Sequence, residues 1–107
     1  MGKFLMGEFE HLVLLTAIRL GDDAYGVSIA KALTEQTGKE VSQAATYLTL
    51  KRLEEKGWLE SKDGVPSTVR GGKAKRTYRI TDEGMARVRE SRATLLEMWS
   101  EISEQLQ

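Results

Sequence analysis

The stretch from Val41 to Gly57, VSQAATYLTLKRLEEKG, decides the fold. Ser42 is a favourable N-cap because its hydroxyl can accept from a backbone N–H that would otherwise be unpaired. The apolar spacing predicts a helix from about Gln43 to Lys56, ended by Gly57. The predicted inner face carries Thr46, Leu50 and Leu53, and the outer face carries Gln43, Tyr47, Leu48 and Lys51.

Two helices are predicted before this stretch. Apolar side chains recur at helical spacing from Gly7 to Leu20, and Gly21 follows as a stop. Leu14, Leu15 and Ile18 form a second apolar face of this helix, which indicates that another element or a second subunit covers it.

The second helix is predicted to run to about Thr37, with Asp22 or Asp23 as its cap and Tyr25 on the same face as its apolar residues. Gly38 stands at its C-terminal end. Three short helices joined by tight turns indicate a helix-turn-helix.

A two-stranded hairpin is predicted next. Residues Trp58 to Lys62 and Lys75 to Ile80 alternate as strands do, around a loop that contains Gly64, Pro66, Gly71 and Gly72. Beside a helix-turn-helix, such a hairpin is a wing.

The last helix is predicted over Asp82–Leu106, with Thr81 as its cap and two acidic residues in its first turn. Its length and its heptad spacing, interrupted only by Arg92, are typical of a dimerisation helix. The predicted dimer contacts are Leu14, Ile18, Met85, Val88, Leu95, Trp99, Ile102 and Leu106. The fold class is therefore mainly α with a small two-stranded β wing: a winged helix-turn-helix over residues 1–80 and a C-terminal dimerisation helix over 81–107.

Composition limits the function classes. The 107 residues suit one small domain, and the absence of cysteine excludes disulfides and thiolate metal sites. With no membrane-length apolar run and no signal-like leader, we expect a soluble cytoplasmic protein without a membrane partner. No cofactor or metal site is indicated.

The charge is uneven although the total is zero. Residues 51–79 hold nine basic and four acidic residues, a local charge of +5, and residues 64–80 hold five cations and no acid. A phosphate responds to the local charge, because screening acts over about 8–10 Å at physiological salt. This pattern predicts contact with double-stranded DNA. The predicted contact residues are Ser42, Gln43, Tyr47 and Lys51 on the helix and Arg70, Gly71, Gly72, Lys73, Lys75 and Arg76 on the wing.

Several features have two interpretations. The polar residues predicted to contact DNA could also be ordinary solvated residues, since any exposed helix or hairpin carries some. Leu48 could touch a thymine methyl, a sugar edge or its own chain. Trp99 is either a packing residue or, with Leu95 and Met98, part of an effector pocket for a planar ligand. His11 has no partner at catalytic spacing, and we do not expect an enzyme.

Several segments together resemble the PadR family of bacterial transcriptional regulators, in the compact subgroup with a short single C-terminal helix. They are GEFEHLVLLTAI, AYG, VSQAATYLTLKRLEEKG, GGKAKRTYRIT and DEG. The resemblance implies a homodimer that represses transcription at a palindromic operator. Ser42, Tyr47 and Lys51 match its recognition-helix positions, and Gly71, Gly72, Lys73, Lys75 and Arg76 match its wing.

The resemblance also implies a small apolar or aromatic effector, since family members respond to phenolic acids, drugs or unknown inducers. Thr46 and Leu48 depart from the apolar residue usual before the tyrosine and from the small residue or proline usual after it. Two other functions stay open from the sequence. One is a protein-interaction or ligand-sensing module that does not bind DNA, and the other is a minor hydrolase interpretation based on His11.

Overall fold

A computed structural model describes residues 5–64 and 75–106 of the chain. Four helices and two strands follow one another along it. The helices are α1 (Glu8–Leu20), α2 (Gly26–Thr37), α3 (Gln43–Glu55) and α4 (Asp82–Glu101), and the strands are β1 (Leu59–Asp63) and β2 (Arg76–Ile80). The predicted helices and the hairpin are confirmed. Short 3₁₀ turns occupy Gly21–Asp23 and Ser103–Leu106.

Local capping chemistry sets the starts of α3 and α4 as predicted. The Ser42 hydroxyl accepts from the Ala45 N–H at 3.0 Å, and the Thr81 hydroxyl accepts from the Gly84 N–H at 3.0 Å. Gly57 turns the chain out of α3 with φ +80°, a conformation that side chains with a Cβ rarely adopt. These local signals place α3 between α2 and the hairpin.

The predicted start of α2 is wrong. Asp22 and Asp23 lie in the 3₁₀ turn, and the helix begins at Gly26 with Tyr25 as its N-cap residue. The Ser28 hydroxyl accepts from the Tyr25 N–H at 3.0 Å. Tyr25 is drawn into extended geometry because it forms an isolated antiparallel bridge with Thr77 of β2.

The wing, defined here as β1, β2 and the chain between them, is antiparallel. Leu59 pairs with Ile80 at its base, and Asp63 pairs with Arg76 at the far end of the ladder. The Tyr78 N–H donates to the Ala24 carbonyl at 2.8 Å, so the segment before α2 flanks β2 on the other side. This contact ties the wing to the helix-turn-helix.

One apolar core joins the helices to the base of the wing. Two polar residues of this interior, Thr16 and Thr46, each donate to the backbone carbonyl four residues earlier, so their hydroxyls are satisfied. The largest contributors are Val13, Leu14, Ile29, Leu33, Leu50, Leu53, Trp58, Leu59, Tyr78 and Val88.

Two of the predicted dimer contacts belong to this core instead. Leu14 is fully buried and Val88 nearly so within the single chain, and neither offers a surface to a second subunit. The α-helical part of the C-terminal segment ends at Glu101 rather than Leu106. Across residues 5–64 and 75–106, no helix is both long and apolar enough to cross a membrane.

Candidate nucleic-acid interface

The outer face of α3 carries the residues that the sequence predicted. Gln43, Tyr47 and Lys51 follow at four-residue spacing and are all exposed, while Thr46, Leu50 and Leu53 of the opposite face are buried. Ser42 is exposed as well, although its oxygen already caps the helix. The helix therefore presents a row of polar side chains to solvent, while its opposite face is held in place by the core.

Tyr47 is held by a close approach to α2 that the sequence analysis missed. Its ring lies against Gly26, where an added Cβ would come within 2.4 Å of two ring carbons and 2.6 Å of the hydroxyl oxygen. Only glycine leaves room for the ring there. The glycine of the AYG segment was the available signal, because a buried glycine in the first turn of a helix often marks a close contact.

Lys75, next to Arg76 at the far end of the strand ladder, packs on Tyr25. Its Nζ lies 4.4 Å from the centre of the Tyr25 ring and 3.3 Å from the Tyr25 hydroxyl oxygen, to which it donates. A cation over an aromatic face is attracted electrostatically by the ring. Tyr25 is thus a second residue of this surface that the sequence analysis did not single out.

Arg76, a predicted DNA contact in an acid-free segment of the sequence, is paired with groups from outside that segment. Its Nε donates to the Ser61 hydroxyl oxygen at 2.9 Å, and its guanidinium nitrogens lie 3.7 Å from an Asp63 oxygen and 3.8 Å from a Glu54 oxygen. The Ser61 hydroxyl in turn donates to Glu54. This network joins the end of α3 to both strands of the wing, and it shares the charge of Arg76 between two carboxylates.

The outer face of α3 and strand β2 of the wing lie on the same side of the molecule. One open cleft is lined by Tyr47, Lys51, Glu54, Glu55, Arg76 and Tyr78. Burial raises the pKa of Tyr78. The Arg76 charge lowers that pKa by less, and the nearby acidic groups raise it further, so the hydroxyl stays protonated at neutral pH. The predicted tip residues Arg70, Gly71, Gly72 and Lys73 lie outside the described residues.

A separate apolar surface, called the α4 surface here, covers the far half of α4 and continues into the 3₁₀ turn after it. Its large side chains are about half exposed, as are Leu15 and Ile18 on α1. Met85 is half-buried near the start of the helix. The members of this α4 surface are Leu95, Leu96, Met98, Trp99, Ile102 and Leu106.

The residues predicted to form an effector pocket belong to that surface. Leu95, Met98 and Trp99 are each about half exposed. A pocket that encloses a ligand removes most of the ligand's surface from water. These three residues would therefore need a second surface to complete one.

His11 has a partner that its position in the sequence did not suggest. Its Nδ1 lies 3.0 Å from the Ser91 hydroxyl oxygen, in a contact that joins α1 to α4. Burial lowers the pKa of His11, which favours the neutral ring. Within residues 5–64 and 75–106, no group of three or more acidic or histidine side chains is placed to hold a metal ion.

Three helices packed around one core, a two-stranded hairpin tied to them and a trailing helix define a winged helix-turn-helix protein. Residues 14–90 match the model of the transcriptional regulator PadR-like family. The chain belongs to this family, as its resemblance in sequence indicated.

Solved structures agree with this assignment. A PadR family transcriptional regulator from Eggerthella lenta DSM 2243 is 29% identical, with a TM-score of 0.71 over 94% of this chain and 87% of that one. A PadR family transcription regulator from Clostridium difficile R20291 shares the fold at 22% identity, with a TM-score of 0.73 over 94% of this chain and 100% of that one. A search of curated proteins finds no match.

Proposed function

We propose that the chain is a homodimeric regulator that binds double-stranded DNA through α3 and the wing and represses transcription at a palindromic operator. The observation that carries this proposal is the shared cleft, which brings Tyr47 and Lys51 of α3 together with Arg76 of the wing. A helix inserted into the major groove from this side would bring the wing to the neighbouring backbone.

The electrostatics of this side support the proposal. No acidic residue occurs between Val41 and Leu53, and the N-terminal end of α3 adds the positive end of its helix dipole. Lys51 and Lys75 supply side-chain cations. The Glu54 and Asp63 carboxylates are both paired with the Arg76 guanidinium, which offsets part of their charge. They therefore repel a phosphate less than two free carboxylates would.

The α4 surface supports the homodimer. Leu95, Trp99 and Ile102 keep the seven-residue repeat of the predicted seam, and each is about half exposed in the single chain. Pairing two such surfaces removes apolar area from water at about 25 cal/mol per Å². Ile18 on α1 is also exposed, but it lies beside the strands of the wing and would need a separate contact with the partner.

Effector control would act through the same surface. Leu95, Met98 and Trp99 would gain their second wall from the partner subunit, which would create an apolar pocket suited to a small aromatic molecule. A molecule that binds there better in one dimer geometry shifts the distance between the two α3 helices. Release from the operator follows if that geometry does not fit the DNA.

Selection from a random duplex library followed by a salt series tests the proposal. Six to ten phosphate contacts predict that affinity falls by about 10³–10⁵ between 50 and 200 mM salt. Lys51→Ala and Lys75→Ala should each weaken binding and reduce the salt slope by about two, because each substitution removes one phosphate contact from each subunit of the dimer. Arg89→Ala, an exposed cation on α4, is the matched control and should leave the slope unchanged. Absent or salt-independent binding would refute the proposal.

A second candidate is a protein-interaction or ligand-sensing module that does not bind DNA. It is favoured by the exposed Leu48 on α3 and by the apolar face of α1 around Leu15 and Ile18. It predicts that Lys75→Ala leaves regulation intact in cells, whereas Leu48→Asp or Ile18→Asp abolishes it. The proposed regulator predicts loss of regulation with Lys75→Ala.

A further inference from the structure

Leu48 is a large apolar residue that is exposed to solvent on the candidate interface. It lies in the middle of α3 and is 64% exposed, so its side chain has no large contact with the rest of residues 5–64 and 75–106. An exposed leucine alone is ordinary. Its position on the outer side of α3, beside Tyr47, makes it informative.

The helix surface around Leu48 narrows down what could cover it. Ala44 and Ala45, one turn before it, are small and exposed, so a partner can approach the helix closely there. Lys51 and Arg52, one turn after it, are exposed cations. The surface that fits these residues is negatively charged and carries a small apolar group opposite Leu48.

The major groove of DNA has such a feature. Thymine alone among the four standard bases carries a methyl group at C5, and that group lies in the major groove between the two phosphate chains. The methyl groups at the end of the Leu48 side chain could pack on the thymine methyl. The phosphates on either side of the groove could then pair with the Lys51 and Arg52 cations. A protein partner would be expected to meet an apolar patch wider than this single side chain.

We infer that Leu48 contacts the C5-methyl of a thymine and gives the chain a preference for thymine at one position in each half-site. This inference rests on the proposed function, since it needs α3 in the major groove. It assigns Leu48 a part in specificity, which is separate from the phosphate contacts of Lys51 and Lys75.

Replacing thymine by deoxyuridine tests this contact with a change of one methyl group and no change in base pairing. Duplexes selected by the wild-type protein are substituted one thymine at a time, and binding is measured by fluorescence anisotropy. At one position per half-site, loss of the methyl should weaken wild-type binding about fourfold, and about fifteenfold when both half-sites are changed.

Three variants make the test specific to Leu48. Leu48→Ala should bind the thymine and deoxyuridine duplexes alike at that position, because the contact is already lost. Leu48→Met, which keeps an apolar side chain of similar size, should retain the preference. Leu5→Ala removes a leucine outside α3 that is even more exposed, at 74%, and should behave as wild type.

The results separate this inference from the proposed function. If the library yields no enriched duplex, both fail. If a duplex is enriched but no thymine methyl matters to the wild type, or if Leu48→Ala keeps the wild-type preference, only the assignment of Leu48 is overturned. Loss of regulation in cells by Leu48→Ala, with DNA binding and thymine preference unchanged, would point instead to a protein partner and would also overturn it.

Discussion

Replacing Gly26 by alanine would test how Tyr47 is positioned. The new methyl group would lie 2.4 Å from two carbons of the Tyr47 ring, whereas ordinary contacts begin near 3.4 Å. The ring would have to move by about 1 Å to restore a normal contact distance. Tyr47 is 47% exposed, so the ring can move toward solvent without disturbing the core.

Two opposing effects set the expected change in stability. Alanine is favoured over glycine in a helix by up to about 1 kcal/mol. Overpacking against a side chain costs about 1–3 kcal/mol, and the mobility of an exposed ring favours the lower part of that range. We therefore expect Gly26→Ala to destabilise the wild type by about 0–1 kcal/mol and to stabilise the Tyr47→Ala variant by about 0.5–1 kcal/mol.

Urea unfolding of the wild type, both single variants and the double variant gives the coupling between the two positions. We expect about 0.5–2 kcal/mol of coupling, and a loss of DNA affinity from Gly26→Ala only when Tyr47 is present. An equal effect of Gly26→Ala in both backgrounds, on stability and on DNA binding, would refute the reasoning, because it would mean that the glycine does not position the ring.

Three further predictions concern stability. Burial alone would raise the pKa of Glu10, but hydrogen bonds from Lys56 and the Gly7 N–H and the Lys56 charge outweigh it and lower that pKa. The pair, at 2.7 Å, should thus stabilise the fold at neutral pH and lose this effect as pH falls through the folded-state pKa, below the ordinary 4.5. Lys56→Ala should cost about 1–3 kcal/mol by urea unfolding at pH 7, and a cost that is unchanged at pH 3 would contradict this. The pKa of His11 is also lowered, so the unfolded chain binds its proton more tightly and stability should fall as pH drops through about 6.5. His11→Gln should flatten that part of the pH–stability curve, and an unchanged curve would count against it. Gly57→Ala should cost about 1–2 kcal/mol in a thermal or urea melt because of the positive φ. Gly7→Ala, at φ −68°, is the control and should cost less.

Short-range signals predicted most of the fold. The caps at Ser42 and Thr81 and the apolar period of each helix act over three or four residues, so they can be recognised without the rest of the chain. The exposed row Gln43, Tyr47 and Lys51 follows directly from the buried one. That row is the part of the candidate site that the sequence predicted well.

Long-range contacts decided what the sequence analysis missed. Asp22 and Asp23 are good caps, but pairing of Tyr25 with Thr77 moves the start of α2 beyond them. Val88 and Leu95 share one heptad pattern, yet only Val88 is buried in the chain's own core. The period of a helix gives its apolar face, and only the tertiary packing shows which part of that face is already covered.

Arg76 shows the same limit for charge. It lies in a segment of 17 residues without an acid, residues 64–80, and this composition indicated a positive local charge that a phosphate could contact. Its carboxylate partners come from Asp63, its partner in the strand register, and from Glu54, near the end of α3. Neither is visible from the local sequence.

The most direct test of the regulator account is a hydroxyl-radical footprint of the protein on a selected duplex. Two copies with α3 in successive major grooves should protect two segments on one face of the DNA, centred about 10 base pairs apart, with lighter protection outside them from the wings. Tyr47→Ala with Lys51→Ala should remove the two segments. A single protected segment, or protection that these substitutions leave unchanged, would contradict the account.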